Sequence, residues 1–382
     1  MNLSRKNLVV RNGNITVLSV FLLLALLSVI AVTVNVGSLA NSLAKLQNAS
    51  DASCRAAAWQ LMDRFGKSDA ITLATNEASK LALASMGNQG VDNTLLPATD
   101  LKIGRYTWSP QSSSFVLSWG ATPANIIQTR LSRYDSRSNA LDVVLRNFMG
   151  RDTVELSAVS NVLFSPATGF QAPTTSGQNL EILPFALDID TWIAMENGVG
   201  TDDFSVNPVT DAVSAGSDGI KEVKIFPVGN NRNLPSGNRG TLRLGPNNNS
   251  TSKLSRQIQE GLNANDWTFH PNGFSVADGP MNISGDPGVS AAIENDLIQI
   301  LGQDRILPIF TSVSGNGANA TYAIVKFVGV KVVKADLRGA LNHKAVLLQP
   351  TDFVVDEAVT NMKMPANSQG TVFTKPAYFN VQ

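Results

Sequence analysis

Few residues in this 382-residue chain are of a type that does chemistry, and their spacing does not bring them together. The one cysteine, Cys54, lies among Ala and Ser with no His in sequence reach. It reads as a buried, inert thiol rather than a nucleophile. A lone Cys excludes an intramolecular disulfide, and with only His270 and His343 beside it no Cys/His zinc cluster can be built. His270 precedes Pro271-Asn-Gly and His343 lies between Asn and Lys, so both read as solvated loop residues. The carboxylate pairs Asp188/Asp190 and Asp202/Asp203 could take Ca²⁺, but neither belongs to a twelve-residue EF-hand loop, and helix capping explains the first pair equally well. Gly237-Asn-Arg-Gly and Gly315-Asn-Gly fit neither phosphate-binding pattern and read as turns. No serine stands in G-x-S-x-G, so a hydrolase triad has no anchor. The residues therefore assign no catalytic, cofactor-binding or metal-binding group, and a non-enzymatic protein is expected.

Composition points the same way. Formal net charge is zero and only 16% of residues are charged, which argues against nucleic acid as a partner. Asn, Ser, Thr, Gly and Ala are abundant and aromatics few, a balance common in exported bacterial surface proteins.

The stretch that positions everything else is Ile15 to Val36. It holds no charge, Pro or Gly, and Ile15, Val17, Phe21, Leu24, Leu27, Val32 and Val36 mark its apolar length. About 20 residues at roughly 1.5 Å rise cross a ~30 Å hydrocarbon core, and only a helix satisfies its own amides there. Arg5, Lys6 and Arg11 precede it, while Lys45 is the nearest cation beyond. The positive-inside rule then keeps residues 1–14 in the cytoplasm and exports the rest. The expectation is a single-pass protein of a bacterial inner membrane with its bulk on the periplasmic or extracellular side. The alternative is a signal peptide cut at Ser38-Leu39-Ala40, against which stands an apolar run longer than the usual ~7–15 residues.

Behind the span the expected class is α+β. A helical stem continues to about Lys67, with Leu39, Leu43 and Leu46, then Trp59, Met62 and Phe65, as an apolar stripe. The helical pattern persists from Ser68 to about Gly87, with Ile71, Leu73, Leu81 and Leu83 among Ala residues. Leu101–Trp108 and Ser114–Trp119 read as a hairpin, Ala124–Arg133 and Val154–Val162 as strands, and 139–150 as a helix. Stem and module span 37–165, and 166–180 reads as a linker. A second α+β domain with a mixed sheet is expected over 181–355, with Asp188 or Asp190 capping a helix and Asn249-Ser-Thr-Ser capping another. Asp286-Pro287 reads as a helix start, and Tyr322–Val333 as a central strand. Residues 356–382 read as an extended or mobile tail.

The runs VNVGSLANSLAKLQNASDASCRAAA, ANIIQTRLSR and LRNFMGRDTVELSAVSNV resemble the TadE/TadG-like family of tight-adherence (Flp) pilus assembly proteins over roughly residues 10–165. Asn35 stands where the family often has Asp. In the related pilins a Gly precedes the processed helix and a Glu stands five residues in; here Gly13 is the candidate processing position, but the fifth residue is Leu18. Asp51-Ala-Ser-Cys-Arg lacks the metal loop that longer relatives carry. The strings EVKIFP, SGNRGTLRLG and GDPGVSAAI resemble the region that follows such helices, to which no activity is attached. The resemblance implies a membrane-anchored assembly factor or minor-pilin-like subunit for cell adhesion. It further implies pilus-assembly or pilin-like partners, while the Ala-rich small faces of the N-terminal helix suit either packing on the first domain or self-association. The alternative is an envelope-anchored enzyme or glycan-binding module, which requires a concave polar pocket within 181–350.

Overall fold

The computed structural model describes residues 15–86, 96–143, 146, 150–226, 240–246, 249–286, 290–315, 319–340, 343–363 and 370–379. It is an α+β chain led by one long apolar helix. Helix α1 (Ile15–Asp63) runs for 49 residues through Gly37 without a break. Straight-chain and Ala residues dominate it, with no Pro, and at 1.5 Å per residue it extends roughly 70 Å. After Gly66, whose φ of +76° turns the chain, comes α2 (Ala70–Met86). Its inward stripe is Ala70, Ala74, Ala78, Ala82 and Met86, while Ile71, Leu81 and Leu83 are half-buried and Leu73 exposed. The expected leucine face is thus displaced by alanines repeating every four residues, which allow a close approach.

Strands β1 (Leu101–Ser109) and β2 (Ser114–Trp119) form the expected hairpin, with Trp108 opposite Phe115. They are followed by β3 (Ile126–Arg133), β4 (Leu141–Asp142), β5 (Thr153–Val154) and β6 (Leu156–Leu163). A helix over 139–150 is not what forms at its start: Leu141 and Asp142 pair with Val154 and Thr153 as a short ladder. The Leu, Val and Phe spacing that suggested a helix falls largely on 144, 145 and 147–149, outside the described residues.

The segment read as a linker carries β7 (Gly169–Phe170), and Phe170 is fully buried. Then come β8 (Leu187–Asp188), α3 (Ile189–Glu196), β9 (Phe204–Val206), β10 (Val213–Ala215), β11 (Val223–Phe226) and β12 (Thr241–Leu242). Asp188 caps α3 by accepting from the Thr191 amide at 2.9 Å. Helix α4 (Thr251–Glu260) begins after Ser250, and α5 (Ala264–Trp267) is closed by a capping box of Asn263 and Asp266. Strands β13 (Phe274–Ser275) and β14 (Met281–Asp286) follow. Asp286 therefore ends a strand instead of capping a helix, and residues 287–289 lie outside the described ones. Helix α6 (Glu294–Gln299) is entered through a 3₁₀ turn capped by Ser290.

The remaining strands are β15 (Asp304–Ser314), β16 (Ala320–Asp336), β17 (Ala345–Thr351), β18 (Phe353–Val354), β19 (Ala358–Val359), β20 (Val372–Phe373) and β21 (Ala377–Tyr378). Residues expected to trail as a tail thus supply three short strands, and Val372 and Phe373 are fully buried. The first sheet has the order β2-β1-β3-β6-β21.

The larger sheet is organised by β16, as its long apolar run predicted. One edge of β16 takes β14 and then β17, the other takes β15, and β15 pairs in parallel with β8, which makes the sheet mixed. Between Ile324 and Lys326 the pairing with β15 slips by one residue. The slip changes parity, so Tyr322, Ile324 and Phe327 enter one core and Val328, Val330 and Val332 the other. One continuous strand thereby lines two hydrophobic layers.

The chain forms two compact units, one of Met1–Cys54, Glu77–Leu101 and Gln128–Ser160, the other of Arg55–Asn76, Lys102–Ile127 and Asn161–Gln382.

Candidate membrane helix and polar cleft

Of the sequence-assigned residues, Ile15, Val17, Phe21, Leu24, Leu27, Val32 and Val36 all lie on α1 and all are exposed, as are Leu18, Leu22, Leu23 and Ile30. Gly13 and the basic residues before it lie outside the described residues. Leaving one such side chain in water costs ~1.5–3 kcal/mol, so this surface has a strong drive to find an apolar medium. The polar interruptions are compatible with lipid. The hydroxyls of Ser19, Ser28 and Thr33 donate to the carbonyls four residues back, at 2.7, 2.8 and 2.8 Å. These three hydroxyls therefore need no partner from lipid. Two positions depart from the uniform exposure: Ala31 is 1% and Asn35 4% exposed. Among the described residues α1 is the one helix long and apolar enough to cross a membrane.

Beyond Gly37 the helix changes character and buries one face. Leu46, Ala49, Ser50, Ser53 and Cys54 are fully buried in the first unit. Small side chains let the helix lie close to strand backbone, and the polar ones are paired with it. Ser50 Oγ lies 3.0 Å from Thr129 Oγ1, and Thr129 Oγ1 donates to the Ser50 carbonyl at 3.0 Å. Gln47 donates to Asp51 and to Ser160 Oγ, and Ser160 donates to Asp51. Cys54 is buried as expected, its thiol against the Ser160 carbonyl. In the second unit Phe65, just past α1, packs edge-on against Phe164 and Phe373, with centroids 6.0 and 5.2 Å away. Leu43 and Trp59, predicted to share the buried stripe, point outward instead. Ala and Ser at 49, 50, 53, 57 and 58 hold the inner face, a signal that counting large apolar residues misses.

Two of the four carboxylates weighed as metal ligands are used by the backbone, and the other two, Asp190 and Asp203, are exposed. Asp188 is the α3 cap, and Asp202 accepts from the amides of Asp218 and Gly219. The Ser217 hydroxyl, with those amides, holds the Asp202 carboxyl below its ordinary range. Among the described residues no cluster of three or more His, Cys, Asp or Glu could hold a metal ion. Gly237-Asn-Arg and residues 316–317 lie outside the described residues.

His343 is exposed, but His270 is not the solvated loop residue expected. It packs on Phe274 with centroids 4.4 Å apart and on Phe269, and burial pulls its imidazole down to about 4, with Asp266 opposing. The reason is α5, which turns the chain so that the His270 ring joins the Trp267–Phe274 edge of the core. Asp352 was not singled out in the sequence. Burial, with Asp63 and Glu196 nearby, pushes its carboxyl up to about 8, against Lys67 and Arg64.

A concavity that the sequence did not announce opens in the second unit. It has a volume of about 460 Å³ and is lined by Pro246, Ser250, Ser252, Lys253, Arg256, Asn265 and Asp266. Asp266 is fully buried and ion-paired to Arg256. It also accepts from Gln257 Nε2 at 3.2 Å and from the Asn263 amide at 3.2 Å. The contributing residues are scattered over a loop and two helices, which is why no linear motif marks the place.

One exposed apolar helix leading an α+β body is consistent with a single-pass membrane protein. Its N-terminal segment has a known likeness: residues 13–60 match the putative Flp pilus-assembly TadE/G-like family. The matched segment takes in the apolar stretch and most of the stem, a shorter range than the resemblance over 10–165. No curated protein and no solved structure matches the chain.

Proposed function

We propose that this protein is a non-enzymatic, single-pass membrane component of a Flp pilus system, an assembly factor or minor-pilin-like subunit. Residues 15–36 cross the inner membrane, residues 1–14 stay in the cytoplasm, and the chain after the span lies on the periplasmic or extracellular side. The observation that carries the reading is the coincidence of the family match at 13–60 with the exposed apolar half of α1. Support for a structural role comes from Asp188 and Asp202, whose carboxylates are spent on a cap and a loop. The stem, as an unbroken continuation of the span, would transmit position from membrane to body. Partners are other pilus-assembly or pilin-like proteins, with self-association through α1.

Two measurements test this. Alkaline carbonate extraction should leave the full-length chain in the membrane pellet, and release into the soluble fraction would remove the anchor. N-terminal sequencing of the mature protein distinguishes an uncut anchor at Met1 from processing after Gly13 or after Ala40. Loss of Flp pili on deleting the gene, restored by the full chain, is the expected phenotype.

A further inference from the structure

We propose that the cleft between residues 246 and 266 binds a small oxyanion-bearing molecule, through a phosphate or carboxylate group held by Lys253 and Arg256. This is independent of the pilus reading. The argument begins with charge. Lys253 and Arg256 stand three residues apart on α4 and both line the cleft. Arg243 is close enough to act on Lys253, and the carboxylate that acts on it is Asp266. Three cations thus meet one anion. That anion is already committed, because Asp266 takes Arg256, Gln257 and the Asn263 amide.

Lys253 is the group left under-compensated. An ammonium has three protons to donate. One goes to the Pro246 carbonyl, and among the described residues no carboxylate pairs with Lys253. Burial, together with Arg256 and Arg243, makes the charged form of Lys253 costlier than usual, and Asp266 only partly opposes this. An oxyanion in the cleft would restore the balance with charge-assisted hydrogen bonds. The rim supplies further donors that suit a polar guest, the exposed Ser250 and Ser252 hydroxyls and the Asn265 amide.

A second observation is independent of charge. Arg243 Nε, Asn249 Oδ1, Gln257 Oε1, Trp267 Nε1 and His270 Nε2 are buried and have no hydrogen-bond partner among the described residues, and they lie at positions 243–270, the stretch of chain that also supplies the lining residues. Gln257 is 1% exposed and its amide nitrogen holds Asp266 in the cleft wall. Buried polar atoms are nearly always satisfied, so this stretch of chain holds more polar capacity than its own bonds use, though none of the five atoms belongs to a lining residue.

The test uses the full chain in detergent, followed by thermal unfolding at fixed ionic strength while chloride is replaced by inorganic phosphate or, separately, by galacturonate. The expected result is a saturable rise in Tm with at least one of the two, the phosphate and galacturonate arms separating the two sources of oxyanion. Lys253→Gln should weaken the apparent affinity about tenfold or more, the loss of one charge-assisted bond, while Lys253→Arg retains it. Should Lys253→Gln fail to fold, Ser252→Glu on the exposed rim replaces it and should abolish the response. No saturable rise with either anion, or the same saturation in the variant as in the parent, overturns the proposal.

Discussion

At the scale of single residues, the small polar side chains of the stem are where the helix is tied to its sheet. Ser50 and Thr129 form a reciprocal pair in a fully buried position, two hydroxyls and two carbonyls sharing their bonds. Ser50→Ala removes one hydroxyl and leaves Thr129 still bonded to the Ser50 carbonyl, so the cost should be about 1 kcal/mol. Thr129→Val removes that donor as well and should cost about 1–3 kcal/mol. Because the two act on one another, the double variant should lose less than the two single losses combined, which urea unfolding of the full chain can measure. A result in which the losses simply add would mean that the pair is not coupled. These residues were not legible beforehand. A serine in an Ala-rich run looks like surface, and only the partner strand, about eighty positions on, makes it core.

Elements show where sequence reading succeeds and fails. The apolar half of α1, the hairpin at 101–119 and the long β16 were legible because each is a run whose pattern matches a single period. The Asp286-Pro287 helix start failed because local capping chemistry yielded to strand pairing: Ser284 and Gly285 are bound into the ladder with β16. The polar cleft was invisible because no contiguous residues build it. Two substitutions probe elements directly. Leu24→Arg places a charge near the middle of the apolar stretch, where it should cost insertion ~2.5–3.5 kcal/mol, and membrane recovery after carbonate washing should fall. In β16, a Cβ on Gly329 would meet the Thr351 carbonyl oxygen at 2.3 Å and the Phe353 ring at 2.9 Å. Gly329→Ala should therefore push β16 from β17 and β18 and destabilise the second unit by about 1–3 kcal/mol, the usual range for overpacking, seen as a lower Tm. An unchanged Tm would show that this edge yields without loss.

At the scale of the whole molecule, two perturbed groups in the second unit give stability an unusual dependence on pH. His270 is held down to about 4 by burial, so below its ordinary 6.5 the unfolded chain takes a proton that the folded one refuses. Its contribution falls as pH drops from about 6.5 to 4. Asp352 is held up to about 8, so above its ordinary 3.8 the unfolded chain releases a proton that the folded one keeps. Its contribution falls as pH rises from about 4 to 8 and is constant above that. Between about 4 and 6.5 the two slopes have opposite sign and largely cancel, whereas from about 6.5 to 8 that of Asp352 stands alone. Stability should then decline with rising pH in that upper window, by at most about 1.4 kcal/mol per unit, since one proton is involved. Asp352→Asn removes the decline, because the amide is neutral in both states. His270→Phe exposes the Asp352 slope through the lower window as well, so the variant should lose stability steadily from about pH 4 upward. Urea unfolding at half-unit steps of pH decides this. A parent protein equally stable at pH 6.5 and 8 would show that Asp352 ionises in the folded chain, with Lys67 and Arg64 outweighing burial and the carboxylates Asp63 and Glu196.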